Sequence, residues 1–326
     1  VALALAFGRS AEAQTIGVRA AGLAGAFVAV ADDATSVYWN PAGMATGAFM
    51  SFVVDFGRDE ASSDESSTAG AMADGTGSIA LTLPPLGVSY YRLERRVAGP
   101  PQTADSGASG REEGWRSVQG LTTDNVGVSL AQSLGDYVVV AGTFRLVHGE
   151  LAAGTTSGGS AEDALDAVDR QPHRSTTRGD IDAGVMVEVD RFRIGVVARN
   201  LTRPTFDGPH PSAASVTLAR EARAGAAWGS AWPLPSRVMV SADLDLTRRA
   251  DPFEDRQDVA AGVETWWWQQ RLAFRGGVRG SLVGAVRPVV AGGVSVAARR
   301  GVFIDAHGSA GTLDERSWSL GVRMTF

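Results

Sequence analysis

The chain has 326 residues, a net charge of −6 and no cysteine. Those values exclude a disulfide framework, a thiolate metal site and a cysteine nucleophile, and with no basic patch to neutralise phosphates they argue against a nucleic-acid partner. Forty glycines is a high count; in a β protein, glycine marks turns, bulges and places where another backbone comes close.

In chain order, VALALAFGRSAEAQ comes first. An apolar run, Val1 to Phe7, leads to Ala11-Glu12-Ala13 before Gln14, an A-x-A-like cleavage site. Residues 1–13 are read as a signal-peptide remnant, with a frayed N-terminal strand as the alternative. No stretch reaches the ~18 consecutive apolar residues of a membrane-spanning helix.

Residues 14–45 are unlike anything that follows. They hold a Gly/Ala-rich run, the acids Asp32 and Asp33, the pair Tyr38-Trp39, and then Asn40-Pro41-Ala42-Gly43. Asn40 and Pro41 suit a fixed turn, because Pro sets φ and Asn bonds nearby backbone. The order Gly17-x-Arg19-Ala20, then Gly25-Ala26-Phe27-Val28-Ala29-Val30-Ala31-Asp32-Asp33, then Trp39-Asn40-Pro41-Ala42-Gly43 resembles the N-terminal segment of the FadL-like outer-membrane proteins. That superfamily includes long-chain fatty-acid and hydrocarbon channels and PorV/PorQ-type barrels. The resemblance implies a plug, or hatch, with its motif at Asp32, Asp33, Trp39, Asn40 and Pro41. It also implies a barrel of about fourteen strands around it. A Gly/Ala-rich helix or loop in a soluble β protein is the other reading of this stretch.

From residue 46 to 326 the chain alternates apolar and polar in segments of about ten residues. Ile181, Ala183, Val185, Val187 and Val189 oppose Asp180, Asp182, Gly184, Met186 and Glu188. Leu272, Phe274, Gly276 and Val278 oppose Arg271, Ala273, Arg275 and Gly277. Period two means one apolar face and one wet face. Soluble strands usually run about five or six residues, whereas ~9–11 tilted residues cross a bilayer. The expected strands are 47–57, 78–84, 86–96, 121–134, 136–148, 179–190, 191–200, 217–228, 236–247, 257–268, 270–280, 287–297, 300–308 and 315–326. The expected fold is therefore all-β: a transmembrane antiparallel β-barrel of about fourteen strands with an N-terminal plug in its lumen.

The connections alternate in length. Tight ones fall at Pro84-Pro85, Gly135-Asp136, Asp190-Arg191, Gln269-Gln270 and Arg299-Arg300, and long ones at 58–77, 97–120, 149–178 and 201–216. In an outer-membrane barrel, long loops lie outside and short turns in the periplasm, which puts both chain ends in the periplasm. In the long segment 149–178, Ser160-Ala161-Glu162-Asp163 reads as a capping box. Ala164, Leu165 and Val168 then form a short amphipathic helical turn, unless the segment is a solvated loop. The runs Asp59 to Ser67 and Thr103 to Glu113 are polar and expected to be mobile. Trp228, Trp232, Trp266, Trp267, Trp268 and Tyr137 sit at strand ends beside short turns, as a membrane-interface girdle does. Core packing is the alternative for the three adjacent tryptophans. Terminal Phe326 closes an apolar-alternating last strand, the kind of end that barrel-assembly machinery reads.

No catalytic constellation stands out: there is no Gly-x-Ser-x-Gly elbow, no His-Glu-x-x-His and no Walker loop. His148, His173, His210 and His307 are scattered without metal-ligand spacing. No catalytic, cofactor or metal residue is assigned and the chain is read as a non-enzyme. Asp32 and Asp33 are expected to accept turn amides or pair a lumen arginine, ahead of holding a cation. The lumen face is expected to carry Asp180, Asp182, Glu188, Arg191, Arg193, Arg199, Glu221, Arg223, Asp243, Asp245, Glu264, Arg271, Arg275 and Arg323. Mixed signs there point to cross-strand pairing and plug contacts. The resemblance implies passage of fatty-acid- or hydrocarbon-like molecules across the outer membrane of a Gram-negative-type bacterium, through a wall gap at a kinked third strand. Segment 86–96 has Gly87 at one end and no evident mid-strand bulge. The alternative is a PorV-like carrier or scaffold for exported surface proteins. Expected partners are outer-membrane lipid, a hydrophobic small molecule or an exported protein, and the assembly machinery.

Overall fold

The computed structural model describes residues 15–62, 70–102, 114–157, 160–211, 213–230, 237–250, 255–312 and 314–326. Residues 1–13, Trp232, and the runs 63–67 and 103–113 therefore lie outside the described residues. Fourteen strands close into one antiparallel barrel. They are β1 Ser51–Ser62, β2 Ala71–Leu83, β3 Leu86–Ala98, β4 Trp115–Leu134, β5 Val138–Ser157, β6 His173–Val189, β7 Phe192–Arg199, β8 Glu221–Gly229, β9 Arg237–Asp245, β10 Asp258–Trp267, β11 Leu272–Ser281, β12 Val289–Arg299, β13 Val302–Gly311 and β14 Arg316–Thr325. Each pairs with its sequence neighbours, and β1 closes the ring on β14 from Ser51↔Thr325 to Glu60↔Arg316. Met50 and Phe326 exchange both backbone hydrogen bonds at that seam. Closure removes every sheet edge, the condition for a sheet to cross a bilayer.

Alternation sorts the faces as expected. Ile181, Val278 and Leu320 are 46%, 53% and 43% exposed on the outside, whereas Asp182, Asp243 and Arg275 are 2%, 2% and 6% exposed inside. In an aqueous solvent this is an inverted protein; in a lipid solvent, with water and plug inside, it is a satisfied one. Arg191 and Arg271 depart from the expected lumen set: both sit at short turns and are exposed, because the strands end one residue from them. Trp266 also departs from the expected girdle. It is one residue out of phase with exposed Trp267, so it points inward, where its Nε1 donates to Glu264 Oε1 at 2.9 Å and its ring meets Phe303 edge-on at 5.3 Å. Trp228, Trp267 and Phe326 are exposed on the outside.

β4 and β5 are longer than expected, 20 residues each. At ~3.3 Å per residue they reach roughly 66 Å, well past the ~30 Å hydrocarbon core. Above the apolar band the inner face becomes oily instead: Leu121, Val147 and Leu151 pack on Phe206 and Val216. The loss of the membrane-type alternation there hides the upper ends of these strands, 115–120 of β4 and 149–157 of β5. Phe206 and Val216 come from a small hairpin, Thr205–Phe206 with Val216–Thr217, inside the long connection after β7.

The capping box forms as read. Ser160 Oγ accepts from Asp163 N at 3.1 Å and the Asp163 carboxylate accepts from Ser160 N at 3.0 Å, starting a helix at Ala161–Asp166. Ala164, Leu165 and Val168 are buried against Ala71, Ala73, Ala98 and Val118 of β2 to β4. The segment is thus an ordered cap and not a solvated loop. Hydrogen bonds from Ser160 hold the Asp163 carboxyl below the ordinary range. A depressed carboxylate contributes stability above its unfolded pKa and loses it as pH falls through its folded pKa. Ser160→Ala is expected to cost about 1 kcal/mol locally, read as faster amide exchange in 161–168 with unchanged protection in the barrel.

Candidate functional site

Residues 15–46 fill the bore. Gly17, at φ 89°, precedes α1, Val18–Gly22; α2 spans Ser36–Trp39; a 3-10 turn follows at Pro41–Thr46. The segment is too short to be stable alone, so its order comes from burial on itself and on the wall. Ile16, Leu23, Phe27, Val28, Val30, Tyr38 and Trp39 form one buried cluster with Tyr91, Val197 and Ala227 of the wall. Trp39 Nε1 donates to Ile16 O at 2.7 Å, tying the two ends of the plug.

Three kinds of contact seat the plug. The first is ionic. Arg19 grips Glu264 with two bonds of 2.8 Å, contacts Asp33 at 3.5 Å, and pairs with Asp32. Glu264 accepts from Arg275 at 2.6 Å; Arg275 lies 3.8 Å from Asp305, and Arg323 bonds Asp305 at 3.0 Å. On the other side, Arg193 lies 3.6 Å from Asp32 and bonds Glu188 at 2.9 Å. One network therefore runs from wall to plug to wall. The second contact is backbone capture. Asp243 Oδ2 accepts from Phe27 N and Val28 N, both at 2.9 Å, and Ser241 Oγ donates to Ala26 O at 2.8 Å. Asn40 Oδ1 caps the 3-10 turn by accepting from Ala42 N at 3.2 Å, and its amide donates to Val28 O and to Val185 O of β6, each at 3.1 Å. Pro41 occupies the first position of that turn. The third contact is cation on aromatic face: Arg199 lies 4.2 Å from the Tyr38 ring and bonds Glu221 at 2.9 Å, and Arg223 lies 5.7 Å from the Trp39 ring.

Among the expected lumen charges, Arg193, Arg199, Asp243, Arg275 and Arg323 thus converge on the plug or on the network that holds it. Asp182 serves the upper bore, bonding Arg145 at 2.8 Å. Sequence reasoning passed over three participants: Arg19, Asp305 and the wall glycines. Arg19 was visible inside the Gly17-x-Arg19-Ala20 motif but had no assigned partner. The glycines line the inner face where plug backbone approaches. A Cβ on Gly277 would lie 2.6 Å from Leu23 O, one on Gly195 2.6 Å from Val28 O, and one on Gly262 2.9 Å from Leu23 Cδ2. Against the plug, toward the short-turn end, lies a cavity of about 410 Å³, lined by Arg19, Asp32, Arg193, Met239, Trp266 and Phe303 among others. Among the described residues no group of His, Asp and Glu side chains is arranged to hold a metal ion.

Comparison with known proteins bears on the fold. The family model described as "F plasmid transfer operon, TraF, protein" matches residues 116–245. No curated protein matches the chain in sequence. Among solved structures, a Pseudomonas aeruginosa FadL homologue is 12% identical with a TM-score of 0.60, covering 98% of this chain and 100% of its own. The Ralstonia pickettii toluene transporter TbuX is 11% identical with a TM-score of 0.60, covering 95% and 98%. The P. putida toluene transporter TodX is 10% identical with a TM-score of 0.55, covering 90% and 94%. Closed fourteen-strand wall, lumen plug and whole-chain superposition agree: in fold, the chain is a FadL-type barrel.

Proposed function

We propose that the protein is an outer-membrane channel for small hydrophobic molecules, fatty-acid- or hydrocarbon-like, described here with its plug seated. In this reading the apolar outer face sits in the outer membrane of a Gram-negative-type bacterium, with the short turns and both chain ends in the periplasm. Residues 14–45 are the plug and 46–326 the barrel. The carrying observation is that a segment of the chain itself closes the bore, seated by ionic, backbone and ring contacts, with about 410 Å³ of space against it. A stopper of this kind opens by exchanging ion pairs for water. The similar solved structures that are named toluene transporters support the same class of cargo. In asymmetric vesicles with a lipopolysaccharide outer leaflet, which resists apolar solutes, the protein is expected to admit radiolabelled oleate or toluene faster than protein-free vesicles do. No flux and no bound ligand from either probe would overturn the reading.

One observation favours the alternative of a non-transporting carrier for exported proteins. β3 is paired without a register shift along Ala71↔Ala98 to Leu83↔Leu86 on one side and Leu86↔Leu130 to Ala98↔Val118 on the other. The wall has no opening at the third strand in this state. An exported protein that co-purifies stoichiometrically with a flux-inactive barrel would decide for the carrier.

A further inference from the structure

Two of the long connections at the outer end go opposite ways. The helical cap at Ala161–Asp166 lies on the outside of the wall: Ala71, Ala73, Ala98 and Val118, on which it packs, continue the outward faces of Ile79, Val88 and Val126. The hairpin after β7 turns inward. Its Phe206 and Val216 pack on Leu121, Val147 and Leu151, which continue the lumen face of Asn125 and Arg145. The hairpin thus stands in the outer mouth of the bore, where a solute arriving from the long-loop side enters.

The pocket that Phe206 fills is cut for a ring. Phe206 is fully buried. A Cβ on Gly149 of β5 would lie 2.7 Å from its Cζ and closer still to two further ring carbons, so the bare strand position is what admits the ring. The foot of the hairpin is fixed. Asn200 N donates to Asp182 Oδ1 at 2.9 Å, and Thr202 N and Oγ1 donate to Asp180 Oδ1 at 3.2 and 2.7 Å. Arg145 pairs with both carboxylates. Beyond the foot the grip is slight. The ladder has two rungs, Thr205↔Thr217 and Phe206↔Val216, and a two-stranded hairpin is marginal by itself. Arg178 Nε donates to Thr205 O at 3.2 Å on an exposed rim, where water exchanges for such a bond at little cost. Between foot and ladder, Arg203 has φ 58°, a left-handed conformation that residues other than glycine seldom hold and that gathers at switch segments. The main anchor is therefore the Phe206 ring, and its grip is apolar. An oily molecule that takes the place of the ring releases the hairpin.

We propose that this hairpin is an outer gate, closed by its own Phe206, and that a hydrophobic solute opens it by taking the ring's place against Leu121, Val147 and Leu151. The foot at Asn200 to Thr202 stays latched and Arg203 is the hinge. Solute and ring compete for one pocket, so the solute binds the open form alone and its binding shifts the equilibrium toward that form. The plug is then an inner gate beneath an outer one. The proposal rests on the channel reading for the class of cargo, whereas the movement of the hairpin is measurable without flux.

The chain has no cysteine, so Val216→Cys reports on the hairpin without touching Phe206. In lipid nanodiscs a membrane-impermeant maleimide is expected to label it slowly, because Val216 is buried, and at least tenfold faster with saturating toluene. Ala164→Cys, also buried but in the outer cap, is expected to keep its rate. Phe206→Ala in the Val216→Cys background should label at the toluene-stimulated rate with no toluene present. Gly149→Val, whose side chain strikes the ring, should do the same and carries the test if Phe206→Ala fails heat-modifiable gel migration. A Val216→Cys rate unmoved by toluene, or raised by the same factor as that of Ala164→Cys, would overturn the gate. So would slow labelling of both folded variants. Toluene-accelerated labelling of Val216→Cys in a protein that carries no flux would keep the gate and overturn the channel reading instead.

Discussion

Arg19→Gln is expected to unseat the plug while leaving the barrel standing. Arg19 is buried and serves Glu264, Asp32 and Asp33 together. Removing its charge leaves Asp32 and Asp33 adjacent in the plug, with Glu264 still held by Arg275 and Asp32 by the more distant Arg193. Breaking a buried pair from one side costs about 3–5 kcal/mol, because the partner charges stay behind. The wall does not depend on that pair, since every strand is laddered to two neighbours. The whole cost therefore falls on the equilibrium between seated and displaced plug, a shift of about 10² to 10⁴. Protease cleavage within residues 15–46 and hydrophobic tracer flux should rise together, with heat-modifiable migration unchanged. Arg19→Lys keeps the charge but loses the two-bonded grip on Glu264, so it should restore the seated plug only in part. An Arg19→Gln protein as protease-resistant and as slow as wild type would show that the ion pairs do not hold the plug.

The second large effect comes from two adjacent glycines. Gly276 and Gly277 lie side by side in β11 on opposite faces. A Cβ on Gly277 would strike the Leu23 carbonyl, 2.6 Å from its oxygen, whereas one on Gly276 would meet nothing within 4 Å. Plug backbone cannot swing aside as a side chain can. Gly277→Val is therefore expected to destabilise the seated plug by about 3 kcal/mol or more, at the upper end of overpacking costs. Gly276→Val adds a β-branched side chain to a lipid-facing strand position and should be neutral or stabilise by up to ~1 kcal/mol. Urea unfolding of the barrel and proteolysis of the plug, run on both variants, separate the faces. Equal behaviour of the two would contradict the assignment of inside and outside.

Most of the architecture was legible because the physics is repetitive. Lipid outside and water or plug inside force period-two alternation on segment after segment, so the fourteen strands could be read, and the two faces of strands such as β6 from residues such as Ile181 and Asp182. The turns were legible for the same reason, since Pro84-Pro85 and Asp190-Arg191 interrupt it. What stayed hidden lies where that rule lapses. The upper parts of β4 and β5 leave the bilayer and bury Val118 and Leu151. Trp266 lies among three tryptophans whose identity suggests a girdle and whose phase decides otherwise. The plug contacts were least legible. Arg19 finds Glu264 245 residues away, and a glycine in sequence does not reveal whether plug backbone passes it, as at Gly277, or nothing does, as at Gly276.

The chain has no cysteine, so a tether can be placed cleanly. A Cβ on Gly321 of β14 would lie 3.0 Å from Val18 Cγ2 of the plug, close to the about 3 Å between a sulfur and the far Cβ across a disulfide, and 2.9 Å from Val54 O of β1, so the wall must give by a few tenths of an ångström to admit the bond. Val18→Cys with Gly321→Cys should therefore oxidise to a plug-to-wall bond. Tracer flux through the oxidised protein in vesicles with a lipopolysaccharide outer leaflet is predicted to fall to the protein-free level and to return on reduction. A bond that forms in full while flux continues unchanged would contradict the account that residues 15–46 gate this barrel.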